Sequence, residues 1–192
     1  GAIPRAAIEA QLKSLSKEDR ESLARLGIRF GLEYVFMPAL MKAMPIRLRG
    51  LLWIAAHRDR DAPALPPEGR VTFAVPAGTP ANFVASCGYR VIGGTAFRLD
   101  MLERFAAVAR KLAREKAKIM PPEHLSLLGV SAENAVPVLK DLGFKARIEE
   151  TGLIFGFRRD GHRHKAESKA PVPEIAVRED SPFAKLRALI PQ

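Results

Sequence analysis

The sequence predicts an α+β fold that is mainly helical, with short strands in its core and a small helix-helix-β-hairpin unit after it. Apolar residues recur at helical spacing, and short alternating stretches beside paired glycines indicate strands. A composition of 47% apolar and 27% charged residues is near the globular average. We expect residues 1–118 to form the helical core domain, 119–160 the helix-helix-hairpin unit packed on it, and 161–192 a basic, largely disordered tail.

The first part of the chain is predicted to contain two helices. Residues 2–14 fit a short amphipathic helix because their apolar residues recur at helical spacing. Ser16, followed three positions later by Asp19, predicts a capping box that starts a second helix. Gly27 is predicted to end that second helix.

An apolar passage from residue 27 to residue 57 carries the only tryptophan of the chain. Its first half, rich in β-branched and aromatic residues, indicates an extended segment, after which Pro38 opens a helical stretch that Pro45 restarts. One face of this helix repeats apolar residues at helical spacing, and we expect that face to be buried. It consists of Leu48, Leu51, Leu52 and Ala55. Charged residues and prolines interrupt the passage too often for a membrane span.

The central part of the chain is predicted to alternate between loop, strand and helix. The polar, proline-rich stretch 57–69 indicates a loop, and alternation over 71–75 indicates a short strand. Thr79 is the expected N-cap of a helix that Gly88 ends. The pair Gly93-Gly94 is typical of a hairpin turn between two short strands.

The longest predicted helix begins at Asp100, its expected N-cap, and has an apolar inner stripe opposite a basic outer face. The inner stripe consists of Leu102, Phe105, Ala106, Ala109 and Leu112. The outer face carries Arg104, Arg110, Lys111, Arg114, Lys116 and Lys118. This distribution predicts a helix that packs on one side and presents positive charge on the other.

Residues 121–159 are predicted to form two helices and a hairpin, in the order found in the second half of a winged helix. A turn at Gly129 separates the helices, and alternating apolar residues around Thr151-Gly152 indicate the hairpin. Pro137 falls inside the second helix, where it removes a backbone hydrogen bond. We therefore expect that helix to start late or to bend.

The excess of 31 Lys and Arg over 21 Asp and Glu gives a net charge of +10 and makes nucleic acid the first partner class to consider. The alternative to nucleic-acid binding is that the positive net charge only keeps the protein soluble. Cys87 is the single cysteine, so no intrachain disulfide can form and a reducing, cytoplasmic setting is expected. Its apolar neighbours predict that it is buried and inert.

The sequence lacks the motifs that catalysis or cofactor binding would require. There is no GxxxxGK[ST] loop, and Gly93-Gly94 has neither the third glycine nor the following helix of a dinucleotide site. The histidines lack cysteine or carboxylate partners at metal-ligand spacing. They are His57, His124, His162 and His164. We expect no catalytic residue, no metal and no cofactor in this chain.

Two passages of the chain match patterns of a known family. The first supplies Gly27, Arg29, Gly31, Pro38, Ala39, Leu40, Lys42 and Trp53. The second supplies Gly88, Tyr89, Arg90, Gly93, Arg98, Asp100, Leu102, Glu103 and Arg104. Over about residues 20 to 159 the chain resembles the C-terminal region of bacterial DExH-box helicases related to the mitochondrial RNA-degradosome helicase. It departs from the pattern at Ala43-Met44, where the family often has proline.

The resemblance implies a non-catalytic accessory domain of an ATP-dependent RNA helicase. Such a domain would bind single-stranded or structured RNA through backbone phosphates beside the motor, with no ATP hydrolysis or unwinding of its own. The implied partners are RNA, the helicase motor domains in cis and a nuclease, with no membrane. The leading Gly1 and the abrupt entry into a helical pattern indicate a piece of a longer protein.

The candidate RNA-binding residues fall into three ranks. The first rank is Arg104, Arg110, Lys111 and Arg114; the second is Arg158, Arg159, Arg163 and Lys165; the third is Arg47 and Arg49. Two other readings remain open. The chain is alternatively a protein-interaction module that stabilises the motor or recruits a nuclease, or a winged helix that reads duplex DNA. The duplex-DNA reading is weakened because the second helix of the helix-helix-hairpin unit is close to neutral. Its polar residues are Glu133, Asn134, Lys140 and Asp141.

Overall fold

The computed structural model describes residues 1–58 and 61–158, and within them the predicted α+β class is confirmed. The α-helices are α1 (Glu9–Ser14), α2 (Lys17–Arg25), α3 (Ala43–Ala56), α4 (Ala81–Ser86), α5 (Leu99–Arg114), α6 (Pro122–Leu125) and α7 (Ala132–Asp141). The strands are β1 (Ala2–Pro4), β2 (Arg29–Phe30), β3 (Tyr34–Phe36), β4 (Thr72–Ala74), β5 (Tyr89–Ile92), β6 (Thr95–Arg98), β7 (Phe144–Glu149) and β8 (Gly152–Phe157). The expected tail lies outside the described residues, and so do Arg159, Arg163 and Lys165.

The strands form three small antiparallel sheets with the orders β1-β3-β2, β4-β6-β5 and β7-β8. The predicted hairpin at Gly93-Gly94 is confirmed, since these residues join β5 to β6 with φ values of 58° and 77°. Two successive positive φ values are what a two-residue hairpin turn needs, and glycine adopts them without steric cost. The order helix, helix, hairpin is present in α6, α7 and β7-β8, while the winged-helix likeness stays a prediction.

The N-terminal helix is shorter than expected. Residues 2–4 form β1, because their main chain pairs with β3 from Ala2 opposite Phe36 to Pro4 opposite Tyr34. A 3-10 turn, Arg5–Ile8, then leads into α1. The predicted capping box of α2 is confirmed, with the Ser16 hydroxyl accepting from the Asp19 amide at 3.1 Å.

Helix α3 is buried on the side opposite to the one that the apolar repeat predicts. The predicted inner face, Leu48, Leu51, Leu52 and Ala55, is exposed. The helix instead packs through Ile46 and Gly50, with Trp53 half-buried beside them. A Cβ at Gly50 would lie 2.5 Å from Leu65 Cδ2 and 3.4 Å from Cys87 Sγ. The contact side is therefore set by close approach at a glycine.

Two clusters of buried side chains form the core. One joins α3, α4 and the β4-β6-β5 sheet, and includes Cys87, which is buried as predicted. The other joins the inner stripe of α5 to α6, α7 and the β7-β8 hairpin. The inner stripe predicted for α5 is confirmed, since its first four residues are buried and Leu112 packs against them. The domain boundary at residue 118 stays a prediction.

Three helix starts differ from the predictions. Helix α4 begins at Ala81 with Pro80 as N-cap, so the Thr79 cap is wrong by one position. Helix α5 begins at Leu99 because β6 runs into it without a loop, and Asp100 therefore lies in its first turn rather than at the cap. Helix α7 begins directly after Ser131 and continues through Pro137, so it does not start late, and the alternative of a bend at Pro137 stays a prediction.

The carboxylate of Glu103 joins α5 to the turn between β2 and β3. It is 6% exposed and accepts three backbone hydrogen bonds, from Leu32 N at 2.5 Å, Glu33 N at 2.8 Å and Tyr34 N at 2.7 Å. Gly31 makes room for it, since a Cβ there would lie 2.6 Å from Glu103 Oε2. These bonds hold the turn at a fixed position beside the exposed side of α5.

We predict that Glu103→Ala lowers the free energy of unfolding by about 3 kcal/mol, because it leaves three backbone donors without their charged acceptor. Urea unfolding measures the loss, and Glu103→Gln should lie between this variant and the parent because one acceptor oxygen remains. Glu115→Ala, a change at the exposed C-cap residue of the same helix, should stay within about 0.5 kcal/mol. Equal midpoints for Glu103→Ala and Glu115→Ala would contradict this role for Glu103.

Candidate nucleic-acid interface

The outer face of α5 and the residues just after it form the most cationic stretch of the described chain. Between residues 104 and 118 there are six Lys or Arg residues and one carboxylate, so this stretch carries +5 of the chain's net charge of +10. Arg104, Lys111 and Arg114 are exposed and Arg110 is half-buried. The helix keeps them on one side because the opposite stripe is buried in the core.

Three of the four first-rank residues line one shallow depression beside the turn that Glu103 holds. The depression has a volume of about 320 Å³. Its lining residues are Leu32, Ala107, Arg110, Lys111, Arg114 and Glu115. Lys111 Nζ lies 4.0 Å from Glu115 Oε1, an exposed ion pair whose weak attraction leaves the ammonium free to exchange partners. We define the basic groove as Arg110, Lys111 and Arg114 with Leu32 at its wall. Arg104 lies outside the lining.

The end of the β7-β8 hairpin lies close to the C-terminal end of α5. Phe155 N donates to Lys118 O at 2.9 Å, and Met120 N donates to Leu153 O at 2.9 Å. Residues 118–120 therefore run beside β8 in the antiparallel sense, and β8 leads back toward the end of α5. Phe157, which is 48% exposed, and exposed Arg158 end this strand.

Among the exposed aromatic residues of the described chain, Phe157 is the nearest in sequence to the cations of α5. Its ring stacks on Phe144 with a centroid distance of 5.6 Å and an interplanar angle of 27°. The buried neighbour fixes one face of the Phe157 ring and leaves part of the side chain in contact with solvent. An aromatic face of this kind can stack against a base.

The structure separates the two third-rank residues. Arg47 is exposed on α3. Arg49 points inward, where its guanidinium donates to Leu40 O at 2.8 Å, Ser86 O at 2.9 Å and Cys87 O at 3.2 Å. Burial lowers the pKa of the Arg49 guanidinium from its usual value. Arg49 is therefore engaged in the fold, and we leave it out of the candidate interface.

Three residues of the site were not selected from the sequence. Leu32 reaches the groove through a turn that is placed by Glu103, more than sixty positions along the chain. Glu103 itself is a single acidic residue in a basic helix, and only its burial reveals its role. Phe157 belongs to the alternating pattern of the hairpin, and nothing in that pattern distinguishes an exposed from a buried position at its end.

Three further observations on the described residues concern metal ligation, the cysteine and membrane helices. Within residues 1–58 and 61–158 no three His, Cys, Asp or Glu side chains converge as a metal ligand set. Burial raises the pKa of the Cys87 thiol, which disfavours the reactive thiolate. Among the same residues, no helix combines the length and apolar character needed to cross a membrane.

We predict that Arg49→Met lowers the free energy of unfolding by about 2 kcal/mol without changing the affinity for RNA. The methionine fills a similar volume but leaves three carbonyl groups without their donor. Arg47→Met, at the neighbouring exposed position, should change stability by less than about 0.5 kcal/mol. Urea unfolding and an RNA-binding titration of both variants measure the difference. A loss of RNA affinity at unchanged stability for Arg49→Met would return Arg49 to the interface.

Comparison with family models, curated proteins and solved structures finds no match for this chain. The resemblance to the C-terminal region of DExH-box helicases therefore remains a prediction from the residues quoted for it. No function can be transferred from a relative. The function has to be inferred from the chain's own charge, packing and exposed side chains.

Proposed function

We propose that this chain is a non-catalytic accessory domain that binds single-stranded or structured RNA through its backbone phosphates. The observation that carries the proposal is the basic groove, where three cations of α5 converge at one depression on a rigid helix. The resemblance supports the finer proposal that the domain is the C-terminal part of a cytoplasmic ATP-dependent RNA helicase. In that setting the motor domains in cis and a nuclease are its protein partners.

Rigidity makes this surface suitable for phosphate binding. The inner stripe of α5 is almost fully buried, with Phe105 at 0% and Ala109 at 0% exposure, so the backbone under the cations is held in place. Binding then requires ordering of the protein's side chains but little ordering of its backbone. From Arg104 to Arg114 the helix extends about 15 Å at 1.5 Å per residue, which is long enough to follow several phosphates. One guanidinium group can donate two parallel hydrogen bonds to the oxygens of one phosphate, so arginine is well suited to phosphate binding.

Phe157 and Arg158 stand at the end of a strand that leads back toward the end of α5, and we propose that they add contacts to bases and phosphates. Stacking of a base on an aromatic ring is sequence-tolerant because every base has a π-face. Arg158 follows Phe157 directly in the sequence, and its long exposed side chain is proposed to contact a phosphate next to the stacked base. The combination of a cationic helix and one exposed ring favours single-stranded RNA over a duplex, whose bases are not free to stack.

Two observations bear on the alternative functions. The exposed apolar face of α3 favours a protein-interaction module that stabilises the motor or recruits a nuclease. Reading of duplex DNA by α7 is disfavoured, because Asp141 already pairs with Arg90 at 2.7 Å and Glu133 adds a negative charge. Phosphate binding and apolar docking differ in their salt dependence, which provides the test.

We predict that replacing Arg110, Lys111 and Arg114 together by Ala weakens binding to single-stranded RNA about tenfold or more. Each lost phosphate contact also removes about 0.7 from the slope of log K against log salt, so the slope should fall by about 2. Fluorescence anisotropy with a labelled oligonucleotide at several salt concentrations measures both quantities.

A matched control replaces Lys13, Lys17 and Arg70 by Ala, which removes the same charge from exposed positions outside α5 and the β7-β8 hairpin. This control should retain most of the affinity, since only long-range attraction is lost. Equal losses in the two triple variants would mean that net charge, rather than the basic groove, binds RNA. RNA binding that is insensitive to salt would contradict the phosphate-binding proposal as a whole.

We further predict that Phe157→Ala weakens binding to single-stranded RNA by about fivefold to tenfold with an unchanged salt slope. One base-stacking contact is lost, typically worth about 1 to 3 kcal/mol, while every phosphate contact remains. Phe157→Trp should restore the affinity because it restores an aromatic face. Urea unfolding checks that both variants are folded, and equal affinity for Ala and Trp would exclude stacking at this position.

A further inference from the structure

The exposed side of α3 is a continuous apolar strip on a helix that is already fixed by its other side. Met44 is 69%, Leu48 57% and Leu51 45% exposed, and exposed Ala55 continues the line. These residues follow each other at spacings of four, three and four, which is the repeat of a coiled-coil seam. Leu52, 60% exposed, widens the strip. We define these five residues as the α3 seam.

The seam has the shape of a surface that receives another helix. Side chains at this repeat form the knobs and holes into which a second helix with the same repeat can pack. Removing the apolar surface of the seam from water would stabilise such a contact by about 25 cal/mol per Å² of apolar area buried. No element of the described residues covers the seam.

The end of this chain carries a segment with the matching repeat. Phe183, Leu186 and Ile190 lie at spacings of three and four, as the seam does. Ser181 followed by Pro182 is a helix start signal, and Pro191 is a stop signal. The segment from 182 to 190 is therefore predicted by its sequence to be an amphipathic helix of about two and a half turns.

We propose that residues 182–190 dock as a short helix on the α3 seam of the same chain. The proposal does not depend on RNA binding. About 25 residues separate Arg158 from Phe183, and an extended chain of that length reaches roughly 80 Å. A globular domain of about 158 residues has a radius of gyration of only roughly 15 Å, so the segment can reach any part of its surface.

Charge also favours this occupant. Lys42 precedes α3 and Arg58 follows it, and both are exposed. Glu179 and Asp180 stand just before the docking segment. Arg58 is followed in the sequence by Asp59 and Asp61, whereas Lys42 has no carboxylate close to it in sequence, so the acidic pair favours a parallel arrangement in which it meets Lys42.

A segment of the same chain is favoured over a second copy because the contact is small. Two or three turns of helix bury much less than the total of about 1,200 Å² that a stable contact between separate proteins usually needs. A tethered segment does not need that area, since the connecting chain gives it a millimolar effective concentration. A nine-residue helix is unstable alone, and docking on the seam would supply the missing stabilisation.

Cysteine labelling of the full chain tests the proposal. Ala55→Cys places a thiol within the seam at little steric cost, while native Cys87 is 0% exposed and contributes little background. The rate of reaction with a water-soluble maleimide is measured with the natural tail and with Phe183→Ser, Leu186→Ser and Ile190→Ser combined. We expect the serine tail to raise the rate by about threefold or more, because the seam becomes uncovered.

Leu26→Cys provides the matched control, since Leu26 is 71% exposed at the end of α2 and outside the seam. Its labelling rate should be the same with both tails. Equal rates at Ala55→Cys with the two tails overturn the proposal, and so does protection that increases with protein concentration, which would identify a second copy as the occupant. An equal rise in the labelling rate at Ala55→Cys and at Leu26→Cys would also overturn the proposal. It would mean that the tail stabilises the whole fold and does not cover the seam in particular.

Discussion

The position of the candidate interface depends on one buried carboxylate. Glu103 satisfies three consecutive backbone N–H groups of the β2-β3 turn and thereby joins the N-terminal sheet to α5. A buried charge is stable only when its oxygens are fully hydrogen-bonded, and three amides meet that condition. Gly31 is required beside it because any side chain would collide with the carboxylate. The same contact brings Leu32 to the edge of the cationic helix face.

Within the described residues, two groups of cationic side chains have different physical roles. Arg49 binds three main-chain carbonyls, Arg90 bridges Glu33 and Asp141, and Arg98 pairs with Asp100. The guanidinium groups of these side chains donate hydrogen bonds to protein oxygens in place of water, and they hold separate segments of the chain together. The lysines and arginines of α5 have one weak carboxylate partner among them, and all are exposed except Arg110, which is half-buried. Net charge therefore overstates the capacity to bind phosphate, and exposed charge on a fixed helix is the better measure.

Helix α3 illustrates the limit of periodicity as a guide to burial. It is apolar on two sides, so the repeat of leucines is compatible with either side facing the core. Gly50 decides between them, since only there does the backbone come close enough to pack against Leu65 and Cys87. Counting large apolar residues selects the wrong face of α3. The packed face is marked by Gly50, whose lack of a side chain allows the close approach. The leucines on the other side are left exposed, and this is the surface on which we propose that residues 182–190 dock.

The sequence by itself determined the features that depend on neighbouring residues: the α+β class, the Ser16 capping box, the hairpin turns and the amphipathic division of α5. Each follows from local hydrogen bonding or from the spacing of apolar residues, which the chain carries wherever it folds. Only the tertiary structure decided which side of α3 is buried, that Arg49 is internal, and that Leu32 joins the basic groove. These depend on contacts between segments far apart in the chain, where a missing Cβ or a single carboxylate outweighs local pattern.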